Sequence, residues 1–256
     1  MTTSRTGAAR RADILPAVLT ALNDGTLETA TLAEGLAVDF ALLLKAAVPA
    51  IPEESIRLVY SAASTGVTRR MELVGALLLQ HLGIDGIPTL TTHSSDTVRG
   101  WAAYAIGLAP KLKLKDRLEL LRPLAEDSHF GVREWAWLPL RPHVTANVNH
   151  AVKLLVPWTR ETSHYLRRFA SEVTRPRGVW TCHITALKDN PELGRPILEP
   201  LRADPEPYVQ DSVANWLNDA GKSNATWLKT LTDRWRNESP CPETHIIIKR
   251  ALRNIK

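Results

Sequence analysis

The sequence predicts an all-α protein, a right-handed α-solenoid built from HEAT-like helical repeats. One observation is a recurring motif, in which a turn rich in Asp, Pro or His opens a helix with an apolar residue. That residue is Val98, Val132 and Leu166 at two intervals of 34 residues, then Val209 and Ile247 after 43 and 38 residues. A second observation is the small or β-branched residue one helical turn after each anchor: Ala102, Ala136, Ala170, Val213 and Ala251. Helix pairs with this period are typical of solenoids, which present a long concave surface.

Helical spacing of apolar residues predicts the other elements. Residues 32–48 and 71–82 each fit a helix, and Asp116–Ala125 fits the outer helix of the repeat that contains Val132. Arg195–Arg202 takes the same place before Val209. Gly and Pro residues lie at predicted helix ends, and no segment alternates convincingly as a strand.

The same reading predicts one domain over residues 1–256. Residues 1–12 are expected to form a disordered basic arm, residues 13–95 a helical cap, and residues 96–256 the repeats that carry the site. No apolar run reaches about 18 residues, so no membrane span is predicted. Without an apolar signal segment at the N-terminus, we expect a cytoplasmic protein. A monomer is enough for the chemistry predicted below, and no obligate protein partner is implied.

The two cysteines, Cys182 and Cys241, are far apart in sequence and form no ligand spacing. They exclude a disulfide framework and a cysteine-rich zinc site. We therefore expect no metal and no cofactor.

Charge and tryptophan are both concentrated in the second half of the chain. Residues 1–128 contain 13 Lys and Arg against 14 Asp and Glu, whereas residues 129–256 contain 19 against 13. Seven of the eight tryptophans lie between Trp135 and Trp235. A basic half fits a surface that follows phosphates, although many basic domains bind nothing anionic and most tryptophans are core residues.

Three segments exceed what a structural repeat requires. They are residues 129–137, residues 166–180 and residues 212–219, and each contains one carboxylate: Glu134, Glu172 and Asp219. Neighbouring helices of a solenoid lie about 10 Å apart, so side chains from three of them can reach one ligand. Each acid alone is more simply a solvated or turn-forming residue. Glu172, however, stands among arginines that suit phosphate contacts, and a carboxylate there is useful if the ligand carries a positive charge.

These motifs resemble a known family, the DNA alkylation repair glycosylases built from HEAT-like repeats, and within it the AlkC branch. The matching segments are His-Phe-Gly-Val-Arg-Glu-Trp-Ala-Trp at 129–137, Leu-Arg-Arg-Phe-Ala-Ser-Glu at 166–172 with Arg-Pro-Arg at 175–177, and Ser-Val-Ala-Asn-Trp-Leu-Asn-Asp at 212–219. The C-terminal Ile-Ile-Lys-Arg-Ala-Leu-Arg at 247–253 is also similar. The detailed resemblance covers roughly residues 90–256.

The resemblance implies hydrolysis of the N-glycosidic bond of cationic alkylated bases, 3-methyladenine and 3-methylcytosine, in double-stranded DNA bound to the concave face. It implies that Glu134, Glu172 and Asp219 are catalytic, and that Trp180 and Trp137 contact the damaged nucleotide or its sugar. The DNA backbone contacts would come from arginines: Arg133, Arg167, Arg168, Arg175 and Arg177. The alternative is a non-catalytic HEAT-repeat scaffold that binds nucleic acid or protein, and release of free base separates the two.

Overall fold

The computed structural model describes residues 5–254, and every regular element in that range is helical. The predicted all-α class is confirmed. The described chain divides into two compact units. Unit 1 comprises residues 5–112 and 119–139, and unit 2 comprises residues 113–118 and 140–254. The single domain predicted over residues 1–256 stays a prediction.

Unit 1 contains the N-terminal helices and the first two anchors. Its helices are α1 (Pro16–Asn23), α2 (Leu32–Ala37), α3 (Phe40–Ala47), α4 (Glu53–Ser61), α5 (Val67–Gly86), α6 (Asp96–Leu108) and α8 (Phe130–Trp137), with 3-10 turns at Arg11–Asp13 and Ile87–Thr92. The division into units runs through α7 (Leu114–Ala125). The helix predicted over residues 32–48 is two helices, because the Asp39 carboxylate accepts the amides of Ala41 and Leu42 and so caps a new start.

Unit 2 contains the remaining anchors. Its helices are α9 (Arg141–Ala146), α10 (Val148–Leu155), α11 (His164–Val173), α12 (Thr185–Asp189), α13 (Arg195–Leu198), α14 (Pro207–Gly221), α15 (Ala225–Glu238) and α16 (Pro242–Ala251), with 3-10 turns at Val156–Arg160, Pro191–Gly194 and Glu199–Leu201. The outer helix predicted at Arg195–Arg202 is thus a short α-helix that continues as a 3-10 turn.

The repeat anchors belong to the hydrophobic cores of the two units. All five anchors and all five residues one turn later are completely buried. Within unit 1, α6 packs on α8, and within unit 2, α14 packs on both α11 and α16. Small residues at the second position allow this close approach, which confirms the pattern predicted from the spacing.

The arginine after each of the first three anchors has a structural role that the sequence did not indicate. Arg99, Arg133 and Arg167 each donate through Nη1 to the backbone carbonyls six and five residues earlier, in the turn before their own helix. Arg167 also grips the Asp204 carboxylate, at 2.6 and 3.0 Å. Gln210 repeats part of the device by donating to the Asp204 carbonyl at 2.9 Å. We call the contact of one guanidinium with these two preceding carbonyls the arginine fork. It fixes each turn, because it satisfies backbone carbonyls that have no partner in the helix.

The N-terminal arm is ordered where it is described. Residues 1–4 lie outside the described residues. Arg5 donates both terminal nitrogens to the Glu34 carboxylate, at 2.7 and 2.6 Å, and the Ala8 amide donates to the same carboxylate at 3.0 Å. The expected disorder therefore does not hold for residues 5–12, because the buried Glu34 needs these donors.

One segment qualifies as a membrane helix by length and composition alone. An 18-residue window within Val67–Thr92 has a mean hydropathy of 1.3, although the sequence analysis predicted no such run. The backbone leaves the helical conformation at Gly83, where φ is 63° and ψ is 173°. The piece that ends at Leu82 is shorter than the about 20 residues that a spanning helix needs.

Candidate active site

Glu134, the predicted carboxylate of unit 1, is held by its own helix. The Trp137 indole donates to Glu134 Oε2 at 3.0 Å, three residues away on α8. Trp137 is itself buried, so its ring supports Glu134 and is not displayed as a contact surface. The helix starts at a His129 cap, whose Nδ1 accepts the Gly131 amide at 3.1 Å. His129 therefore orients the motif helix and is not free to be a ligand.

In unit 2, one arginine joins the other two predicted carboxylates. Arg175 donates through Nη1 to Glu172 Oε1 at 2.7 Å. It donates through Nη2 and Nε to Asp219 Oδ2, at 2.7 and 3.0 Å. Lys222 donates to the other Asp219 oxygen at 2.9 Å. Arg175 thus brings together Glu172 on α11 and Asp219 on α14, two of the three predicted carboxylates, and each is 4% exposed and paired with a cation.

Two serines fix the second oxygen of Glu172. The Ser212 hydroxyl donates to Glu172 Oε2 at 2.7 Å and lies 2.7 Å from the Ser171 hydroxyl. Burial by itself raises the pKa of Glu172, but Arg168, Arg175 and the Ser212 hydrogen bond outweigh it and hold the pKa below its usual range. Glu172 is therefore an anion at neutral pH, with one oxygen oriented by a neutral donor.

A closed loop follows α11 and carries Trp180. The Ile184 amide donates to the Pro176 carbonyl at 3.0 Å and closes the loop at its base. Trp180 lies within it, with 51% of its surface exposed and a positive φ of 59°. Left-handed backbone is uncommon for bulky residues and occurs where the surroundings impose it, often at functional sites.

Arg141 is the residue that holds this loop, and sequence reasoning missed it. Its guanidinium donates to three backbone carbonyls, those of Val173 at 3.1 Å, Arg175 at 2.5 Å and Cys182 at 2.8 Å. Arg141 is 1% exposed, and burial is the main reason that its pKa falls to about 10. A Cβ on Gly178 would lie 3.2 Å from the Arg141 guanidinium, so glycine allows the loop to close over it. An arginine before proline at 141–142 was the only signal in the sequence.

The five predicted DNA-binding arginines all have acceptors or ring partners within the protein. Arg133 and Arg167 form the forks described above, which argues against a phosphate contact for either. The Arg168 guanidinium lies over the Tyr208 ring, 4.4 Å from its centroid, and 3.6 Å from Glu172. Arg177 donates to the Asp219 carbonyl and to the Ser223 hydroxyl, at 3.2 and 2.6 Å. Arg168, Arg175 and Arg177 thus surround the two carboxylates of unit 2 and make their surroundings positive.

Residues 5–254 contain no cluster of three or more His, Cys, Asp or Glu side chains able to hold a metal ion. Cys182 and Cys241 are free thiols. The side chains described above at the site are carboxylates, arginines, serines and one exposed indole.

The fold has solved counterparts. The structure of Pseudomonas fluorescens alkylpurine DNA glycosylase AlkC, bound to DNA containing an abasic site analog, is similar with a TM-score of 0.66 and 24% identity, over 83% of this chain and 60% of that one. Two Streptococcus mutans structures each match over 98% of their length: smu.31 (strain UA159) with a TM-score of 0.61 and 21% identity over 80% of this chain, and AlkD2 with 0.58 and 22% over 85%. The protein therefore has the helical-repeat fold of AlkC and AlkD2.

Sequence comparison adds one relative. The uncharacterized protein YhaZ of Bacillus subtilis (strain 168) is 35% identical over 137 residues, which are 54% of this chain and 37% of YhaZ. This chain thus matches little more than a third of that relative. No protein-family model matches the chain.

Proposed function

We propose that this protein is a DNA glycosylase that hydrolyses the N-glycosidic bond of cationic alkylated bases, 3-methyladenine and 3-methylcytosine, in duplex DNA. The fold it shares with AlkC and AlkD2 supports this class of activity. The observation that carries the proposal is the network of Glu172, Arg175 and Asp219 at the base of the Trp180 loop. It combines two carboxylates and a guanidinium with a nearby exposed aromatic ring.

The state of Glu172 fits this chemistry. A base alkylated at N3 is already positively charged, so its departure needs no general acid. The sugar develops positive charge as the bond breaks, and a fixed anion nearby stabilises that charge. Because its pKa is lowered, Glu172 is ionised at neutral pH and is a weak base. Its role in the proposal is therefore to stabilise the sugar cation and orient water, together with Asp219.

DNA must displace the arginines for these acids to act. A phosphate accepts two parallel hydrogen bonds from a guanidinium, as a carboxylate does. In the proposal, a backbone phosphate takes Arg175, and the carboxylates of Glu172 and Asp219 turn to the damaged nucleotide. Ser212 keeps Glu172 oriented when Arg175 leaves, because their hydrogen bond does not involve the arginine. Arg168 and Arg177 are proposed to hold further phosphates.

The aromatic and acidic residues complete the proposed site. The face of the Trp180 ring can hold a cationic base or the sugar, a contact worth about 1–2 kcal/mol. Trp137 has a different role from the one predicted, because its indole orients Glu134. Glu134, in unit 1, is also proposed to be catalytic.

The decisive experiment measures free base released from methylated duplex DNA by the purified protein. We expect release of 3-methyladenine and 3-methylcytosine. Binding of DNA without any release of base would support the non-catalytic scaffold instead. The burial of Glu172 and Asp219 among cations favours that alternative.

Replacement of Glu172 tests the mechanism. We expect Glu172→Gln to lower the single-turnover release rate by about 10²-fold or more, because the amide keeps the shape but removes the anion. Glu192→Gln, which changes an exposed glutamate, is the matched control. An unchanged rate in Glu172→Gln, with the melting temperature retained, would remove this residue from the mechanism.

A further inference from the structure

Unit 1 contains a polar cavity that the proposed function does not use. It has a volume of about 150 Å³ and lies between the first 3-10 turn, the start of α3, α4 and α5. Two arginines, Arg11 and Arg70, line it together with Asp39 and the apolar residues around Phe40. Arg11 belongs to the basic N-terminal segment, so that segment supplies a charge to the cavity.

Arg70 has no hydrogen-bond acceptor among the described residues. Its guanidinium lies over the Phe40 ring, 4.5 Å from the centroid, and its Nε is buried without a partner. Arg99, in the same unit, is by contrast bonded to backbone carbonyls and to the Asp127 carboxylate. An unsatisfied cationic donor costs free energy when it is shielded from water.

Arg11 and Arg70 also repel each other. Burial is the largest cause that lowers the pKa of Arg70, and the positive charge of Arg11 lowers it further. The negative charge of Asp39 raises the pKa of Arg70 again, but only in part. Asp39 Oδ1 already accepts hydrogen bonds from the amides of Ala41 and Leu42. Among residues 5–254, the nearby Asp13 carboxylate pairs with Arg10 and not with Arg11. Two guanidinium groups therefore face one cavity without a bonded counter-ion.

We propose that this cavity binds a phosphate group between Arg11 and Arg70. Guanidinium groups offer the planar, paired donors that phosphate oxygens accept, and with the Asp39 carboxylate beside them the two arginines leave a net positive charge for the phosphate to balance. The volume is several times the roughly 30 Å³ that one water occupies in the liquid, so a phosphate and bridging waters fit. The group can belong to a DNA backbone or to a free phosphate. Only the DNA source rests on the proposed function.

Binding of free phosphate is tested by measuring the melting temperature of the protein in inorganic phosphate and in chloride of equal ionic strength. At ten times its Kd, phosphate should raise the melting temperature of the wild type by about 3 °C. The rise should persist in Arg69→Gln, which removes an exposed neighbouring charge, and disappear in Arg70→Gln. Arg11→Gln, at an exposed residue, should also remove it, and serves if Arg70→Gln does not fold.

The DNA source is tested by the salt dependence of binding to unmodified duplex. If the phosphate belongs to DNA, Arg70→Gln and Arg11→Gln should each flatten the slope of log K against log salt by about one unit relative to Arg69→Gln. If all three variants match each other in both assays, the phosphate site is refuted. If the wild-type protein neither binds DNA nor releases base, the proposed function is refuted. The melting experiment with inorganic phosphate would then still decide whether the cavity binds phosphate.

Discussion

Trp180 combines a strained backbone with an exposed side chain. Its φ of 59° places a bulky side chain in left-handed backbone, which costs about 1–2 kcal/mol relative to glycine. Half of its surface is exposed, so burial returns little of that cost. The conformation is instead imposed by the loop that Arg141 ties down, and it presents the indole to solvent.

We expect Trp180→Gly to be more stable than Trp180→Ala by about 1 kcal/mol. Glycine adopts positive φ freely, whereas alanine keeps the strain and removes the same ring. Urea denaturation of the two variants measures the difference. Both should lose base release to a similar extent if the ring contacts the damaged nucleotide. A glycine variant less stable than the alanine variant would show that the backbone at 180 is not strained.

The charge of Glu34 makes the stability of unit 1 depend on pH. Hydrogen bonds from Arg5, and further ones from the Ala30 and Ala8 amides, outweigh burial and lower its pKa to about 2. A carboxylate whose pKa falls on folding stabilises the protein above its unfolded pKa of about 4.5. This stabilisation, at most about 3 kcal/mol, is lost as pH falls from 4.5 to 2.

Glu34→Gln should therefore lower the free energy of unfolding at pH 7, and the gap from wild type should shrink as the pH is lowered from 4.5 to 2. Chemical denaturation at a series of pH values measures the gap. Glu54→Gln, which changes an exposed glutamate at the start of α4, should show no gap at any pH. A Glu34→Gln gap that stays constant with pH would contradict the assigned cause.

Residue roles were the hardest part to predict from the sequence. The sequence singled out three candidate carboxylates, because acids among arginines are unusual enough to stand out. The sequence could not distinguish an arginine that binds DNA from one that ties a turn, since both follow the same anchor. The role of Arg141 was not predicted because its acceptors are backbone carbonyls, which any residue type can supply.

At the scale of elements, the arginine fork explains why the repeats begin where they do. Arg167 reaches back to the Glu161 and Thr162 carbonyls while its other nitrogens hold Asp204, in the turn before α14. One side chain thus fixes its own turn and a later one. Such contacts need the planar guanidinium, because lysine offers a single charged nitrogen.

Arg167→Lys should accordingly destabilise the protein by about 1–3 kcal/mol, even though the charge is unchanged. Thermal unfolding measures the loss. The salt dependence of DNA binding should match that of the wild type, because the fork is not proposed to touch phosphate. A flattened slope with unaltered stability would instead support the original prediction for Arg167.

The repeated helices were predictable because burial alone determines their pattern. Val98 and Ala102 are completely buried, as are their counterparts in each later repeat. The N-terminal third was less predictable. Asp39 divides one apolar stretch into two helices through a side-chain cap, and Arg5 orders the arm through a glutamate 29 residues away. A periodicity averaged over many residues does not detect single polar contacts of this kind.

At the scale of the whole molecule, the proposed chemistry predicts which lesions the protein accepts. A site built on the carboxylates of Glu172 and Asp219 assists departure of bases that already carry positive charge. We expect release of 3-methyladenine and 3-methylcytosine but not of uncharged O6-methylguanine from the same duplex. Chromatography of the released bases measures this. Release of both kinds at similar rates would require a proton donor that the mechanism lacks.

The shared arginine has a consequence for how the two acids behave. Because Arg175 donates to Glu172 and Asp219 simultaneously, any event that withdraws it changes both carboxylates in a single step. Helices α11 and α14 are then linked by electrostatics as well as by packing. In the proposed mechanism, withdrawal of this one guanidinium by a phosphate therefore frees an oxygen of each acid together, while Lys222 still holds Asp219 and Ser212 still holds Glu172.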